Sequence, residues 1–231
     1  MIEILRSGLA ELGLNPGKAQ KLELFARLVL ERNKVMNLTA ITEEADFARL
    51  HLLDSASLLK LIDFHGKNVI DVGTGAGFPG VPLRILCEDA AFTLLDSTGK
   101  RIEFLREASA VLSLSPLECI QGRAEEFAAK HRETFDLAVS RAVAALPVLC
   151  ELCLPLVKTG GSFLAMKSAK SDEEIENASN AIDTLGGRLD RVVDYRIPTC
   201  NITHRVLVIR KERPTPIKYP RAFGQMKKKP L

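Results

Sequence analysis

The chain has 231 residues, room for one substantial domain and an appendage. Hydrophobic residues at 46% and charged residues at 26% are ordinary for a soluble globular protein, and no run of about 18 apolar residues is present to span a bilayer. The start, Met1-Ile-Glu-Ile-Leu-Arg6, lacks the basic opening and apolar core of a signal peptide, and the five cysteines suggest no disulfide framework. The expectation is a cytoplasmic protein with reduced thiols and no membrane partner. Cys150 and Cys153 lie on an apolar helical segment with no second pair to complete a zinc site, so core packing is expected and no metal.

The net charge of +3 is unevenly placed. Residues 210–231 carry eight Lys or Arg against the single acid Glu212, a net +7, which leaves −4 for residues 1–209. A mildly acidic body with a basic end points to a polyanionic partner touched along one edge. Tyr219 and Phe223 stand among these cations, where aromatic rings could stack on unpaired bases.

In chain order, residues 1–64 read as helical. Leu22, Phe25, Leu28 and Val29 recur at helical spacing after a Pro16-Gly17 start, and a second helical stretch follows Thr42 as its expected N-cap. From residue 67 the signals alternate. Strands are predicted at 67–72, 91–96, 117–121, 135–140 and 161–167, with helices at 79–88, 99–113, 123–130, 143–153 and 171–185. This rhythm implies a parallel sheet covered by helices on both faces. It breaks at the end: Arg188 to Ile197 and His204 to Lys211 read as adjacent strands with no helix between them, hence antiparallel.

The first strand runs into Asp71-Val-Gly73-Thr-Gly75-Ala-Gly77-Phe78-Pro79-Gly80. A strand, a glycine loop and a helix let backbone approach a nucleotide-like ligand closely. Two frames fit. Gly75-x-Gly77-x-x-Gly80 satisfies the dinucleotide fingerprint and would favour a nicotinamide-dependent oxidoreductase. Asp71-x-Gly73-x-Gly75-x-Gly77 matches the first motif of S-adenosylmethionine-dependent methyltransferases. Asp71 would repel a diphosphate but suits the methyl donor's ammonium group. The terminal antiparallel pair also favours the second frame.

Ligands of open α/β sheets bind beyond the strand C-termini. Asp96 ends the second strand where an acid would take ribose hydroxyls. Ala124 and Glu125 follow the third strand and would flank the adenine. Arg141 ends the fourth and is expected to point into the cleft at the methyl-transfer end, the one candidate catalytic residue. The Asn/Asp-Pro-Pro-aromatic tetrapeptide of many amino-methylating enzymes is missing after this strand, where the sequence is Ser140-Arg141-Ala142-Val143. Cytosine C5 chemistry needs a thiolate near that loop, and Cys150 and Cys153 lie a helix away. Guanine N7 carries an exposed lone pair and loses no proton on methylation, so positioning and exclusion of water suffice.

Asn33-Lys-Val-Met-Asn37-Leu-Thr39, His51-Leu-Leu-Asp54-Ser55, the loop Asp71 to Gly80, Leu95-Asp96-Ser-x-x-Lys100-Arg101, Gly122-Arg-Ala-Glu125, Ser140-Arg141-Ala142 and Tyr219-Pro-Arg221 occur in that order. Together they resemble the bacterial small-subunit ribosomal RNA guanine-N7 methyltransferases, the glucose-inhibited division protein B family, over nearly the whole chain. The resemblance implies methyl transfer from S-adenosylmethionine to N7 of a guanine in 16S ribosomal RNA near the decoding centre, on free RNA or the small subunit. It implies a Rossmann-like class I methyltransferase fold: a mostly parallel seven-stranded sheet (65–212) with a C-terminal antiparallel hairpin. A helical N-terminal cap (1–64) and a basic RNA-contacting tail (213–231) complete the expected chain, as a monomer. Cofactor positions of the family carry over to Gly73, Phe78, Ala124, Glu125 and Arg141, with Phe78 as a wall of the donor pocket. His51 and Asp54 are expected to pack the cap over the cofactor. Where the family often has Trp before the Asn of its first motif, this chain has Arg32 and no Trp. The RNA backbone is expected on Lys100, Arg101, Arg123, Lys218, Arg221, Lys227, Lys228 and Lys229, with the target base splayed from its stack.

Overall fold

A computed structural model describes residues 1–141 and 143–231; Ala142 of the Ser140-Arg141-Ala142 motif lies outside the described residues. The N-terminal segment folds into α1 (Ile2–Glu11), α2 (Ala19–Asn33), α3 (Glu44–Phe47), a π-helical turn (Ala48–Leu53) and α4 (Asp54–Ser57). Glu43 caps α3 in place of Thr42, because its longer carboxylate reaches the amides of Ala45 and Asp46 at 2.7 and 3.0 Å.

Beyond the cap the chain alternates through β1 (Asn68–Val72), α5 (Gly80–Leu86), β2 (Ala91–Asp96), α6 (Gly99–Val111), β3 (Leu117–Gln121), α7 (Ala124–Lys130), β4 (Phe135–Arg141), α8 (Leu146–Cys153) and β5 (Val157–Ser168). It then runs through α9 (Asp172–Thr184), β6 (Gly187–Arg196) and β7 (Thr203–Lys211). The sheet has seven strands in the order β3-β2-β1-β4-β5-β7-β6. The first five pair in parallel. β7 inserts antiparallel between β5 and β6. β5 starts earlier than its predicted 161–167 because Phe135 pairs with Val157 and Leu137 with Ser162, leaving the residues between as a bulge through Gly160 at φ 89°.

Alternate residues of the strands feed the two faces. Ile70, Val72, Ala138, Phe163 and Leu207 pack under α8 and α9. Val69, Leu137, Val139, Leu164 and Val206 point the other way. A third apolar cluster joins Leu5, Leu9, Leu22, Phe25, Phe47 and Leu53 of the cap to Ala76 and Phe78 of the glycine loop and to Ile102 and Leu105 of α6. The helical cap is thus packed against the loop.

The basic end returns over the body. Lys211 is fully buried, and its Nζ donates to Leu154 O (2.6 Å), Val157 O (3.2 Å) and Thr215 Oγ1 (2.7 Å). Arg132 donates to the carbonyls of Tyr219 (2.6 Å), Pro216 (3.1 Å) and Thr215. A short helix, α10 (Phe223–Lys228), follows, and its Met226 is fully buried in the cluster beneath α8. Among the described residues no helix is long and apolar enough to cross a membrane.

Candidate functional site

β1 has β2 on one side and β4 on the other, so successive crossovers leave it in opposite directions. This is the topological switch point where open α/β sheets bind ligands. Four strand ends, those of β1, β2, β3 and β4, are stitched together there. Gly73 N and Thr74 N donate to Leu95 O at 2.8 and 3.1 Å, Gly122 N donates to Asp96 O at 3.0 Å, and Ser140 Oγ donates to Val72 O at 2.7 Å.

The glycines of the loop have separate tasks. Gly73, Gly75 and Gly77 all have positive φ, at 72, 60 and 100°. A Cβ on Gly77 would lie 3.0 Å or less from Leu105, Val81 and Phe25, so this glycine lets the loop pack against α2, α5 and α6. A Cβ on Gly75 would meet nothing nearer than Gly73 O at 4.0 Å, so the space above it is open. A Cβ on Gly73 would stand 2.4 Å from Val143 Cγ2.

Asp71 is fully buried. Its Oδ2 accepts from Thr74 Oγ1 (2.7 Å) and Gly80 N (2.8 Å), tying both ends of the loop together. Oδ1 has no hydrogen-bond partner. Burial pushes the carboxyl up to about 6, against the lowering effect of those two bonds. Its carboxylate therefore orders the loop and does not stand open to a donor's ammonium.

Beside the loop lies a cavity of about 200 Å³ lined by Val72, Gly73, Leu95, Asp96, Gly122, Arg123, Ala124, Glu125, Val143, Leu152 and Phe223. Four residues expected at the donor, Gly73, Asp96, Ala124 and Glu125, meet in its wall. Asp96 Oδ1 accepts from Thr98 N at 2.8 Å, and Oδ2 accepts from Gly75 N at 3.0 Å and from Arg101 Nη1 at 3.4 Å. Each oxygen has two lone-pair directions, so Oδ1 retains one for a hydroxyl donor. Glu125 Oε1 accepts from Arg123 Nε at 2.7 Å. Apolar walls with the carboxylates of Asp96 and Glu125 among them suit a nucleoside: a flat base in the slot and its hydroxyls at Asp96. This is the fit that S-adenosylmethionine requires.

Phe78 and Arg141, like Asp71, Gly75 and Gly77, lie outside this wall. The Phe78 ring is almost fully buried within the cap, stacked on His51 (centroids 4.6 Å apart) and packed against Phe25 (5.4 Å) and Phe47 (5.7 Å). It does not line the 200 Å³ cavity. Arg141 does not point free into the cleft. Its Nη1 donates to Leu50 O (2.9 Å) and Asp54 Oδ2 (3.2 Å), its Nη2 donates to His51 Nδ1 (2.9 Å), and its guanidinium lies 5.2 Å from the Phe78 ring centroid. The physical reason is Asp54, a fully buried carboxylate that requires a cation. Asp54 Oδ1 also accepts from Tyr195 Oη (2.7 Å) and His204 Nδ1 (2.9 Å). Those bonds join the cap to β4, β6 and β7. The Asp54 bond raises the His204 pKa against the lowering effect of burial.

The cations expected on RNA divide. Lys100, Lys218, Lys227, Lys228 and Lys229 are exposed. Arg101 pairs with Asp96, and Arg123 pairs with Glu125 while lying over Phe223. Arg221 is corrected: its guanidinium is held by Glu151, with Nη2 2.5 Å from Oε2 and Nε 2.8 Å from Oε1, because Glu151 is buried and must be paired. Tyr219 is buried and Phe223 faces the cavity, so neither ring is presented to an unpaired RNA base as expected. Arg32 lies over Phe104 at 5.4 Å and pairs with Glu107. Cys150 and Cys153 are buried in the core and burial raises both thiols. His65, Cys87 and Asp89 could hold a metal, but they precede β1 and β2, at the other end of the strands.

Sequence reasoning missed Val143, Leu152 and Phe223 in the cavity and the Arg221–Glu151 pair. Glu151 did leave a signal: it is the one acid in the apolar helix Leu146–Cys153, where an unpaired charge would be costly.

Comparisons with known proteins agree with this geometry. The family model described as "GidB: rRNA small subunit methyltransferase G" matches residues 18–206. A ribosomal RNA small subunit methyltransferase G from Alkaliphilus metalliredigens is 46% identical over 99% of this chain and 98% of its own length. A relative of the same name from Clostridium perfringens is 45% identical over 94% of this chain and 92% of its own. Among solved structures, TrmN from Thermus thermophilus superposes with a TM-score of 0.53 at 20% identity, covering 68% of this chain and 48% of that one. TYW2 from M. jannaschii, solved in complex with AdoMet, gives 0.54 at 14% identity over 68% and 76%. These two likenesses concern the fold, which is the Rossmann-like fold of S-adenosylmethionine-dependent methyltransferases. The family match and the near full-length identities place this chain in the GidB family, rRNA small subunit methyltransferase G.

Proposed function

We propose that this methyltransferase acts on N7 of a guanine in 16S ribosomal RNA near the decoding centre, with S-adenosylmethionine held in the cavity at the ends of β1, β2 and β3. The observation that carries the donor placement is the meeting of Gly73, Asp96, Ala124 and Glu125 around one apolar slot. The substrate reading is supported by the relatives named for small-subunit ribosomal RNA.

When bound, S-adenosylmethionine supplies an electrophilic methyl group on a sulfonium. The protein's own residues supply position. Asp96 takes the ribose hydroxyls, while Ala124 and Glu125 read the adenine edge. Gly75 leaves room for close approach over the loop. Asp71 keeps that loop in shape, and Arg141 braces the cap over it through Leu50, His51 and Asp54. Arg141 is accordingly a positioning residue. The His51 imidazole accepts from Arg141 and is committed to Thr39 Oγ1 through Nε2 at 2.8 Å, so it is not a free base. Guanine N7 asks for none, since methylation there releases no proton from the base.

Lys100, Lys218, Lys227, Lys228 and Lys229, with Arg101 and Arg123 at the cavity mouth, would meet the phosphates around a splayed-out target. The cytoplasm, where the ribosomal subunit is made, is the matching location.

The test is incubation of the purified protein with methyl-labelled donor and either 16S RNA or small subunits, followed by mass analysis of the nucleosides. The expected product is 7-methylguanosine at one position. Label in N6-methyladenosine or 5-methylcytidine would overturn the acceptor, and tight NAD binding without donor binding would overturn the enzyme class.

A further inference from the structure

We infer that Phe223, in the C-terminal segment, forms the outer wall of the adenine slot, so that the basic end of the chain completes the donor site. The inference rests on the reading that the 200 Å³ cavity receives the donor's nucleoside.

Among the described residues of that wall, Phe223 alone follows the last strand of the sheet in sequence. It shares the cavity wall with Leu95 and Ala124, far away in sequence, so its placement needs an anchor. The structure supplies several. Two residues earlier, Arg221 N and Nε both donate to Glu151 Oε1 at 2.8 Å, and Nη2 donates to Oε2 at 2.5 Å. Arg221 Nη1 donates to Lys229 O at 3.1 Å, which ties down the far end of α10. Met226 is fully buried in the cluster beneath α8. Arg123 lies over the ring, its guanidinium carbon 5.3 Å from the centroid. A partly buried ion pair, a buried methionine and a cation over its face hold Phe223 where it is.

The slot also needs such a wall. Its other apolar residues, Val72, Leu95, Val143 and Leu152, are aliphatic. Adenine is a flat π-system, and a base set against an aromatic side chain gains more than its buried area alone provides. Among the described residues lining the cavity Phe223 alone is aromatic, and its truncation would open the slot to water.

The test is calorimetric titration of the full-length wild type, Phe223→Ala, Phe223→Leu and Phe223→Tyr with S-adenosylhomocysteine and with 5′-methylthioadenosine. Both ligands share the adenine and differ at the amino-acid end. Phe223→Ala is expected to weaken both by a similar factor, about tenfold, since base stacking is removed. In turnover, the donor KM rises while kcat at saturating donor changes much less. Phe223→Tyr is expected to bind more tightly than Phe223→Leu, because the π-face and not the volume is at issue. That pair decides the matter if the alanine variant does not fold. Unchanged affinity in Phe223→Ala, or Leu binding as well as Tyr, would overturn the inference while leaving the donor reading intact. Failure of the wild type itself to bind either ligand would overturn the donor reading instead.

Discussion

Nη2 of Arg141 lies 2.9 Å from Nδ1 of His51. A guanidinium only donates, so Nδ1 is the acceptor and the imidazole proton sits on Nε2, facing Thr39 Oγ1. Burial above all, with the neighbouring guanidinium, pushes the His51 pKa down to about 3. Asp54, which would raise it, sends its charge instead to Arg141, Tyr195 and His204.

This neutral histidine makes stability depend on acid. Between pH 6.5 and about 3 the unfolded chain protonates His51 and the folded chain does not, so the unfolded state binds more protons and stability falls as pH falls. The slope approaches about 1.4 kcal/mol per pH unit. Gln can accept from Arg141 and donate to Thr39 without titrating. Between pH 6.5 and 5, wild type should therefore lose about 2 kcal/mol relative to His51→Gln in urea unfolding. A difference that stays constant over this range would show that the folded protein protonates His51.

The glycines of the loop should separate stability from donor binding. Gly77→Ala places a methyl against Leu105, Val81 and Phe25 at a φ of 100° and should lower unfolding stability by about 2–4 kcal/mol. Gly75→Ala meets open space at a φ of 60°, a conformation costing about 1–2 kcal/mol, and on the proposed donor placement its methyl would obstruct the ligand's approach. Urea unfolding and titration with S-adenosylhomocysteine should rank the two variants in opposite orders. The same order in both assays would remove Gly75 from the donor site.

Lys227 and Lys228, which end α10, and Lys229 just beyond it are exposed and should bind RNA phosphates without supporting the fold. Replacing Lys227, Lys228 and Lys229 with Ala should weaken binding to 16S RNA. It should also flatten the plot of log affinity against log salt by about 0.7–0.9 for each phosphate that is no longer neutralised. Affinity for S-adenosylhomocysteine should stay within about twofold of wild type. An unaltered salt slope would show that the phosphates lie elsewhere. This substitution is cleaner than deleting residues 213–231, which would also remove Thr215 from Lys211, Arg221 from Glu151 and Phe223 from the cavity.

Much of the fold was legible because its signals are local. The β-branched run before Asp71, the alternation of apolar strands with helices and the strand pair without a helix between them predict the sheet and its antiparallel end. The period of a segment follows from which face it must bury. Strand order was not legible: insertion of β7 between β5 and β6 depends on pairing across distant residues. The loop motif likewise announced a ligand, and Asp96, Ala124 and Glu125 could be placed by counting to strand ends.

What the sequence by itself determined was the family, the alternating architecture and the glycine loop, since each is written in contiguous residue types. Only the tertiary structure decided how the charges were used. Arg141 is identical in sequence whether it faces a ligand or a buried acid, and Asp54, 87 residues away, turns it toward the cap. Arg221 looked like one cation of a solvated tail, but Glu151, 70 residues away, binds it. A buried charge takes the nearest opposite charge in space, and composition along the chain does not record that distance.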